Sequence, residues 1–370
     1  MTLYEQIKRA GSIDREKITT PVDGNRIRRV LAKEHFTLDD LPTLLAPGAE
    51  AWLEPMAQKA ALLTRNHFGN VIFLFTPLYI SNICENCCPY CSFARQHKIK
   101  RKHLSIDEIR RECERIKQTG LRHILVLTGE SRKVMPFGKL AEALSVIKGY
   151  FSTVSIEVYP LRQEEYAELV SMGVDGLTIY QEVYNEQVYR RLHRGGPKEN
   201  YPFRLDAPER ACRAGMRTVA IGPLLGLYDW RMECLCTAAH MHYLQQTYPE
   251  VEFSMSFPRI RPQAGSFEPA SPVSEHQLVQ IITAFRLLFP HMGITVSTRE
   301  SGKFRDGVLP LGVTRMSAGV STAVGTHSDD PSTTQFEIAD RRSVDEMKQD
   351  LLKRGFQPVL HDWHAMLSGG

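Results

Sequence analysis

Two hydrophobic periods alternate along this chain. Short runs rich in β-branched and aromatic residues occupy 71–79, 123–129, 154–160, 176–182, 218–224, 252–258, 293–299 and 312–318, each followed by glycine, proline or charge. Runs of this kind predict buried strands. Between most of them lie longer stretches with apolar residues at helical spacing, such as SIDEIRRECERIKQTG and SEHQLVQIITAFRLLF. The first opens on Ser105 with Glu108 three residues on, a capping-box arrangement, and stops at Gly120. Eight strands interleaved with helices predict an α/β fold, a parallel (βα)8 barrel of TIM type; a six-strand open barrel differs by two weak strands. On such a barrel, functional residues lie just past the C-terminal strand ends.

The barrel is expected over 69–320. Ahead of it, 1–68 is charged and helically periodic in LDDLPTLLA and AEAWLEPMAQKAALLTRNHFG, which predicts an N-terminal helical extension. The remainder, 321–370, is expected to be a C-terminal loop and helical segment packed on the barrel, with THSDDPSTTQ (326–335) as loop.

Composition adds exclusions. The 370 residues are 42% hydrophobic and 24% charged, ordinary for a globular protein, and a net charge of +4 gives no warrant for nucleic-acid or membrane binding. No stretch approaches the roughly 18 consecutive apolar residues of a membrane span. MTLYEQIKRAGSIDREK has no signal-peptide core, so the expected location is cytoplasmic.

Four of the eight cysteines crowd into SNICENCCPYCSF, while Cys113, Cys212, Cys234 and Cys236 scatter. A disulfide framework is not distributed in this way. Cys84, Cys88 and Cys91 form C-x3-C-x2-C after the first predicted strand. Thiolates at that spacing can wrap one face of a [4Fe–4S] cluster and leave the fourth iron open, able to chelate the amino and carboxylate groups of S-adenosylmethionine (SAM). The alternative is a non-catalytic iron–sulfur or zinc scaffold. Structural zinc normally closes with four ligands, and adjacent Cys87 and Cys88 reach one tetrahedral ion awkwardly. Cys87 is a bystander or an alternative ligand.

This loop, with LYISN before it and IKRKHL after it, resembles the radical SAM superfamily. Within it the chain is similar to the aromatic amino acid lyases, the ThiH/HydG/NosL group, through STRES, QFEIADRRS and HDW as well. The resemblance covers about residue 25 to the end. It implies a [4Fe–4S] cluster on Cys84, Cys88 and Cys91, with SAM as cofactor.

Thr128-Gly129-Glu130 ends the second predicted strand, where glycine permits close approach and a carboxylate can accept from an ammonium. In the family this position binds the SAM amino group. Glu157, Gln181 and Glu182 end the next two strands; they suit a ribose or ammonium partner, or else barrel salt bridges. Arg204 matches an arginine that pairs with the SAM carboxylate, with a surface helix-start arginine as the alternative. Ile221 and Gly222 resemble the adenine-side motif. Arg259, Arg261 and Arg299 on the last strand ends suggest capture of a carboxylate.

By resemblance, Arg299 and Ser317 hold the carboxylate of the substrate L-tyrosine, Tyr79 lies near its amino group, and His240 matches a site histidine of the group, although a lone helical histidine is more often structural. The implied reaction cleaves the Cα–Cβ bond to dehydroglycine (2-iminoacetate) and p-cresol. Tryptophan cleavage is the first alternative and HydG-like chemistry the second. No cysteine follows Cys236, so a second C-terminal cluster of the HydG kind is not expected, which favours thiamine biosynthesis. The implied partners are thiazole synthase ThiG and an electron donor such as flavodoxin or ferredoxin.

Overall fold

A computed structural model describes residues 2–13, 15–326 and 330–361. His327 of the polar loop and Asp362 and Trp363 of the HDW segment lie outside the described residues. All eight predicted strands form: β1 (Val71–Ser81), β2 (His123–Thr128), β3 (Thr153–Glu157), β4 (Gly176–Glu182), β5 (Thr218–Pro223), β6 (Glu252–Ser256), β7 (Gly293–Val296) and β8 (Arg315–Ser317). They pair in parallel and in order, and β1 closes the ring by pairing both β2 (Tyr79 with Leu127) and β8 (Phe75 with Ser317). The fold is a closed (βα)8 barrel.

The helices form where sequence periodicity and caps agree. Ile106–Gln118 starts at Ser105, whose side chain accepts from Glu108 N while the Glu108 carboxylate accepts from Ser105 N. A cap of this kind contributes about 1 kcal/mol. Its inner face buries Ile109, Cys113 and Ile116 against the barrel, at roughly 1.5–3 kcal/mol for each large apolar side chain. Glu275–Leu288 has the same device at Ser274. Arg286 on that helix is fully buried and donates to the carbonyls of Phe289, Pro290, Met292 and Gly312, tying the helix to the β7–β8 end of the barrel.

The N-terminal stretch is helical. Its helix Leu53–Phe68 packs on Glu275–Leu288, and Leu3–Gly11 packs on Trp230–Thr247. The C-terminal stretch holds the helix Val344–Lys353 and one element that periodicity did not reveal, β9 (Gln357–Val359). β9 pairs in parallel with Val71, Ile72 and Phe73 of β1, below the point where β2 begins. The overhang of β1 leaves ladder groups free there, and three residues including Pro358 are enough to use them.

Candidate active site

The site is built on the loop that leaves β1. The β1–β2 register slips between Tyr79 and Ser81, and the chain then runs through 82–105 without a helix. Such a loop needs fixed partners to hold side chains in place. Arg101 supplies them: its guanidinium donates to the carbonyls of Asn82 (2.8 Å), Phe93 (2.6 Å) and Ala94 (2.7 Å). Cys91 N donates to Cys88 O and Ala94 N to Cys91 O, which curls the loop into two tight turns.

Cys84, Cys88 and Cys91 face one cavity at the C-terminal end of the barrel, about 930 Å³ including its open mouth. Cys87 is not on its wall; it is half-buried, and its carbonyl accepts from Gln96 Nε2. Among the described residues no three His, Cys, Asp or Glu are gathered as a site for a single metal ion. Burial pushes the Cys88 thiol up to about 12 and raises Cys84 and Cys91 as well. Uncharged thiols are therefore favoured until a strong cation offsets the burial of the thiolates, as a metal centre does. Gln335 Nε2 lies 3.6 Å from Cys91 Sγ, while its Oε1 accepts from the Tyr79 hydroxyl at 2.8 Å.

Thr128, Gly129, Glu130, Glu157, Glu182 and Arg299 reach the same wall from the strand ends, and Arg204 reaches it from the short helix Tyr201–Leu205, where it is buried. Thr128 Oγ1 is buried and has no hydrogen-bond partner among the described residues, a polar atom left open toward a ligand. Glu130 ties two loops together, its carboxylate accepting from Asn86 Nδ2 at 2.7 Å and its carbonyl from Glu85 N at 2.9 Å.

The most polar corner is at Glu182. Its φ of 70° is unusual for a residue with a side chain, and the β4–β5 register slips beside it. The turn is held from behind: Leu224 N donates to Glu182 O, and the buried Glu233 carboxylate accepts from Tyr184 N (2.7 Å) and Asn185 N (3.3 Å). Lys198 Nζ donates to Glu182 Oε1 at 2.6 Å, Arg204 Nη2 is 3.3 Å from the same oxygen, and Arg204 Nε donates to Tyr180 O at 2.8 Å. Burial pushes the Glu182 carboxyl up, but Lys198 and Arg204 outweigh it and hold the group below its ordinary value. Part of the alternative of barrel salt bridges is thus realised, within the cavity wall.

Glu157 differs: burial, reinforced by the Glu182 carboxylate, pushes it up to about 7 against the pull of Arg299, Arg204 and Lys198. Arg299 lies 3.4 Å over the Phe336 ring, and its Nη1 donates to Arg259 O at 3.4 Å. It has no carboxylate partner among the described residues. Arg259 does, since its Nε donates to Glu300 Oε1 at 2.9 Å, which removes it from ligand capture.

Six candidates do not reach the wall. Gln181 points the opposite way from Tyr180 and Glu182, as strand alternation requires, and both its side-chain atoms are buried without partners among the described residues. Tyr79 stands behind Gln335. Ser317 Oγ accepts from Thr298 N at 3.2 Å, and its carbonyl accepts from Arg305. His240, on Trp230–Thr247, is buried with Nδ1 3.0 Å from the Tyr184 hydroxyl; burial pushes its imidazole down to about 3. Ile221 and Gly222 are also set back.

The two motif glycines have a structural explanation of their own. A Cβ on Gly129 would lie 2.4 Å from Ile83 O, and one on Gly222 would lie 2.0 Å from Ser256 O. Each glycine admits a neighbouring backbone, the cysteine loop in one case and the β6 end in the other.

Sequence reasoning missed Asn86, Tyr90, Tyr180, Lys198, Gln335 and Phe336, all on the wall. A signal for Lys198 exists in Gly195-Gly196: Gly196 has φ 92°, and a Cβ there would strike Asn86 Oδ1 at 2.4 Å, so the pair lets this loop press against the cysteine loop. The Tyr90 hydroxyl is fixed 2.6 Å from His193 Nε2.

Comparison with known proteins agrees with this geometry. Residues 78–235 match the radical SAM superfamily, and 256–357 match the biotin and thiamin synthesis associated domain. The chain is 43% identical over 343 residues to 2-iminoacetate synthase of Salmonella typhimurium, covering 92% of this chain and 91% of that protein. It is 42% identical to that of Escherichia coli over the same shares. A crystal structure of HydG, a maturase of the [FeFe]-hydrogenase, superposes with a TM-score of 0.87 at 28% identity, covering 99% of this chain and 81% of that one. The HydG of Carboxydothermus hydrogenoformans gives 0.85 at 32%, over 97% and 82%. With a closed parallel barrel, three thiols at its C-terminal mouth and full-length similarity of this degree, the chain belongs to the 2-iminoacetate synthase family of the radical SAM superfamily.

Proposed function

We propose that this chain is a radical SAM lyase that cleaves the Cα–Cβ bond of L-tyrosine to 2-iminoacetate and p-cresol, with SAM converted to 5′-deoxyadenosine and methionine. The observation that carries the proposal is the convergence of Cys84, Cys88 and Cys91 on one cavity with an arginine, Arg299, that has no carboxylate partner among the described residues. The full-length similarity to 2-iminoacetate synthases supports the product.

The three thiolates would hold a [4Fe–4S] cluster, which with SAM supplies a one-electron cleavage of a carbon–sulfur bond and so a 5′-deoxyadenosyl radical. The remaining work falls to this chain. Thr128 Oγ1 and the rim at Gly129-Glu130 receive the SAM ammonium. Arg204, already oriented by Tyr180 O and Glu182, presents its remaining donors to the SAM carboxylate. Glu157 accepts from the ribose, while Ile221 and Gly222 shape the adenine side from behind Leu224.

Arg299, stacked on Phe336, takes the substrate carboxylate by its fork. Ser317 fixes the strand end next to it, and Tyr79 orients Gln335. His240, neutral and enclosed, positions Tyr184 rather than touching substrate. In this assignment 2-iminoacetate passes to a thiazole synthase for thiamine formation, and a flavodoxin or ferredoxin supplies the electron. Among the described residues no helix is long and apolar enough to cross a membrane.

The test is anaerobic reconstitution with iron and sulfide, then reductant, SAM and tyrosine, with assay of 5′-deoxyadenosine, p-cresol and glyoxylate, the hydrolysis product of 2-iminoacetate. All three together are expected. 5′-Deoxyadenosine without p-cresol rejects tyrosine and directs the assay to tryptophan. SAM left intact by a loaded cluster rejects the proposal.

A further inference from the structure

Charge is unevenly placed on this chain. The segments 94–103 and 190–198 contain nine Lys and Arg and no Asp or Glu, while the rest of the chain has 37 Lys and Arg against 42 acids. The net positive charge of the protein therefore resides in two segments: the first is the second half of the cysteine loop, and the second, which runs on from the helix Glu186–Leu192, abuts it. Arg95 N donates to Asn86 O, and a Cβ built on Gly195 would lie 3.5 Å from Arg95 Nη2, so Arg95 and the neighbouring Arg194 belong to one surface. Gln96 Nε2, next to Arg95, donates to the Cys87 carbonyl at 3.3 Å.

The nine cations divide by use. Arg101 and Lys198 turn inward to the loop carbonyls and to Glu182. Lys100, Lys102 and Arg190 pair with Asp330, Glu108 and Glu186. Arg95, Lys98, Arg191 and Arg194 are exposed and have no acidic partner among the described residues. Free cations on the cysteine loop and on the segment pressed against it repel one another unless an anionic partner meets them, and they accelerate its encounter.

We propose that the surface of Arg95, Lys98 and Arg194 around Cys87 and Gln96 docks an acidic one-electron carrier protein. This rests on the radical SAM reading above, because that chemistry would consume an electron at the cluster that Cys84, Cys88 and Cys91 would hold, while the cavity they line is needed for SAM and substrate. The carrier reaches the cysteine loop from outside, through Cys87 and Gln96. It would pass one electron to the cluster held by the three thiolates and leave oxidised, one negative charge poorer and so less strongly attracted to the cations.

The experiment uses the full chain with its cluster reconstituted and compares the parent with Arg95→Glu/Lys98→Glu/Arg194→Glu. 5′-Deoxyadenosine formation is measured with dithionite and, separately, with a titration of reduced flavodoxin at two salt concentrations. We expect dithionite rates within about twofold of each other. For flavodoxin we expect kcat/KM to fall at least tenfold in the variant, and the parent to lose rate with added salt while the variant does not. An unchanged flavodoxin-driven rate, or equal losses with both reductants, overturns the docking surface. A parent that leaves SAM intact with dithionite overturns the radical SAM reading and this proposal with it. Binding of an oligonucleotide probe by the parent, with carrier-driven turnover unaffected by the substitutions, assigns the patch to nucleic acid and overturns it too.

Discussion

Replacing Glu157 by Gln should make the protein more stable at alkaline pH while impairing its chemistry. In the folded chain burial and the Glu182 carboxylate push the Glu157 carboxyl from its ordinary 4.5 to about 7. The sign follows from proton counting. Between these two values the folded state holds a proton that the unfolded chain has released, so stability falls as pH rises through that window and stays reduced above it. At about 1.36 kcal/mol per pKa unit the full shift corresponds to about 3 kcal/mol, and the partial contact of Glu157 with the open cavity reduces this to about 2 kcal/mol. Glutamine keeps the shape and removes the charge.

The assay is urea unfolding of the protein before cluster loading, at pH 5 and pH 8, for parent and variant. The variant should gain about 2 kcal/mol at pH 8 and little at pH 5, as a higher urea midpoint with an unchanged slope. Turnover after reconstitution should fall, since the carboxylate that costs stability is assigned to hold the ribose. A variant no more stable at pH 8, or equally stabilised at both pH values, would refute the view that a charged Glu157 is kept at the expense of stability.

Two further substitutions test the scaffold of the site. Gly129→Ala places a Cβ against Ile83 O, 2.4 Å away, so the cysteine loop must shift; iron bound per chain should drop by more than half while the far-UV spectrum is kept, and full iron loading would contradict the packing role. Lys198→Met removes one of the two cations on buried Glu182 and should cost about 3 kcal/mol, largely restored when Glu182→Gln is added, because an uncompensated buried carboxylate is the main penalty. Urea midpoints of the two single variants and the double variant decide this, and strict additivity would sink it.

The barrel was legible because each strand is a compact run of β-branched and aromatic residues, and because caps such as Ser105 with Glu108 mark helix starts locally. β9 was not, since Gln357–Val359 has no period of its own and pairs only because β1 extends below β2. The three cysteines were legible as a contiguous spacing. The strand-end residues were legible collectively, because a closed parallel barrel gathers every C-terminal strand end onto one rim. Individual aim was not: Gln181 and Glu182 are neighbours in sequence, yet the pleat sends one into the packing and the other into the cavity.

What sequence left hidden shares one physical cause, the contact of loop with loop. Lys198 reaches Glu182 only because Gly195-Gly196 lets its loop lie against Asn86, and no periodicity encodes that approach. Gln335 and Phe336 come from a segment with no regular structure that crosses the mouth: Ser92 N donates to Gln335 O, Gln335 N to Thr322 O, and Ala339 N to Thr298 O. That segment joins the cysteine loop to the β7 and β8 ends, so the thiols and Arg299 are held to one another by backbone hydrogen bonds rather than by the barrel alone. A strained φ at Glu182 and a buried Glu233 that accepts from the amides of Tyr184 and Asn185 do the same on the opposite side. The rim of the barrel supplies the direction of the functional side chains, and these two braces supply their separation. Substitutions at brace residues set back from the wall, such as Glu233 and Thr322, should therefore disturb the site as much as substitutions on the wall itself.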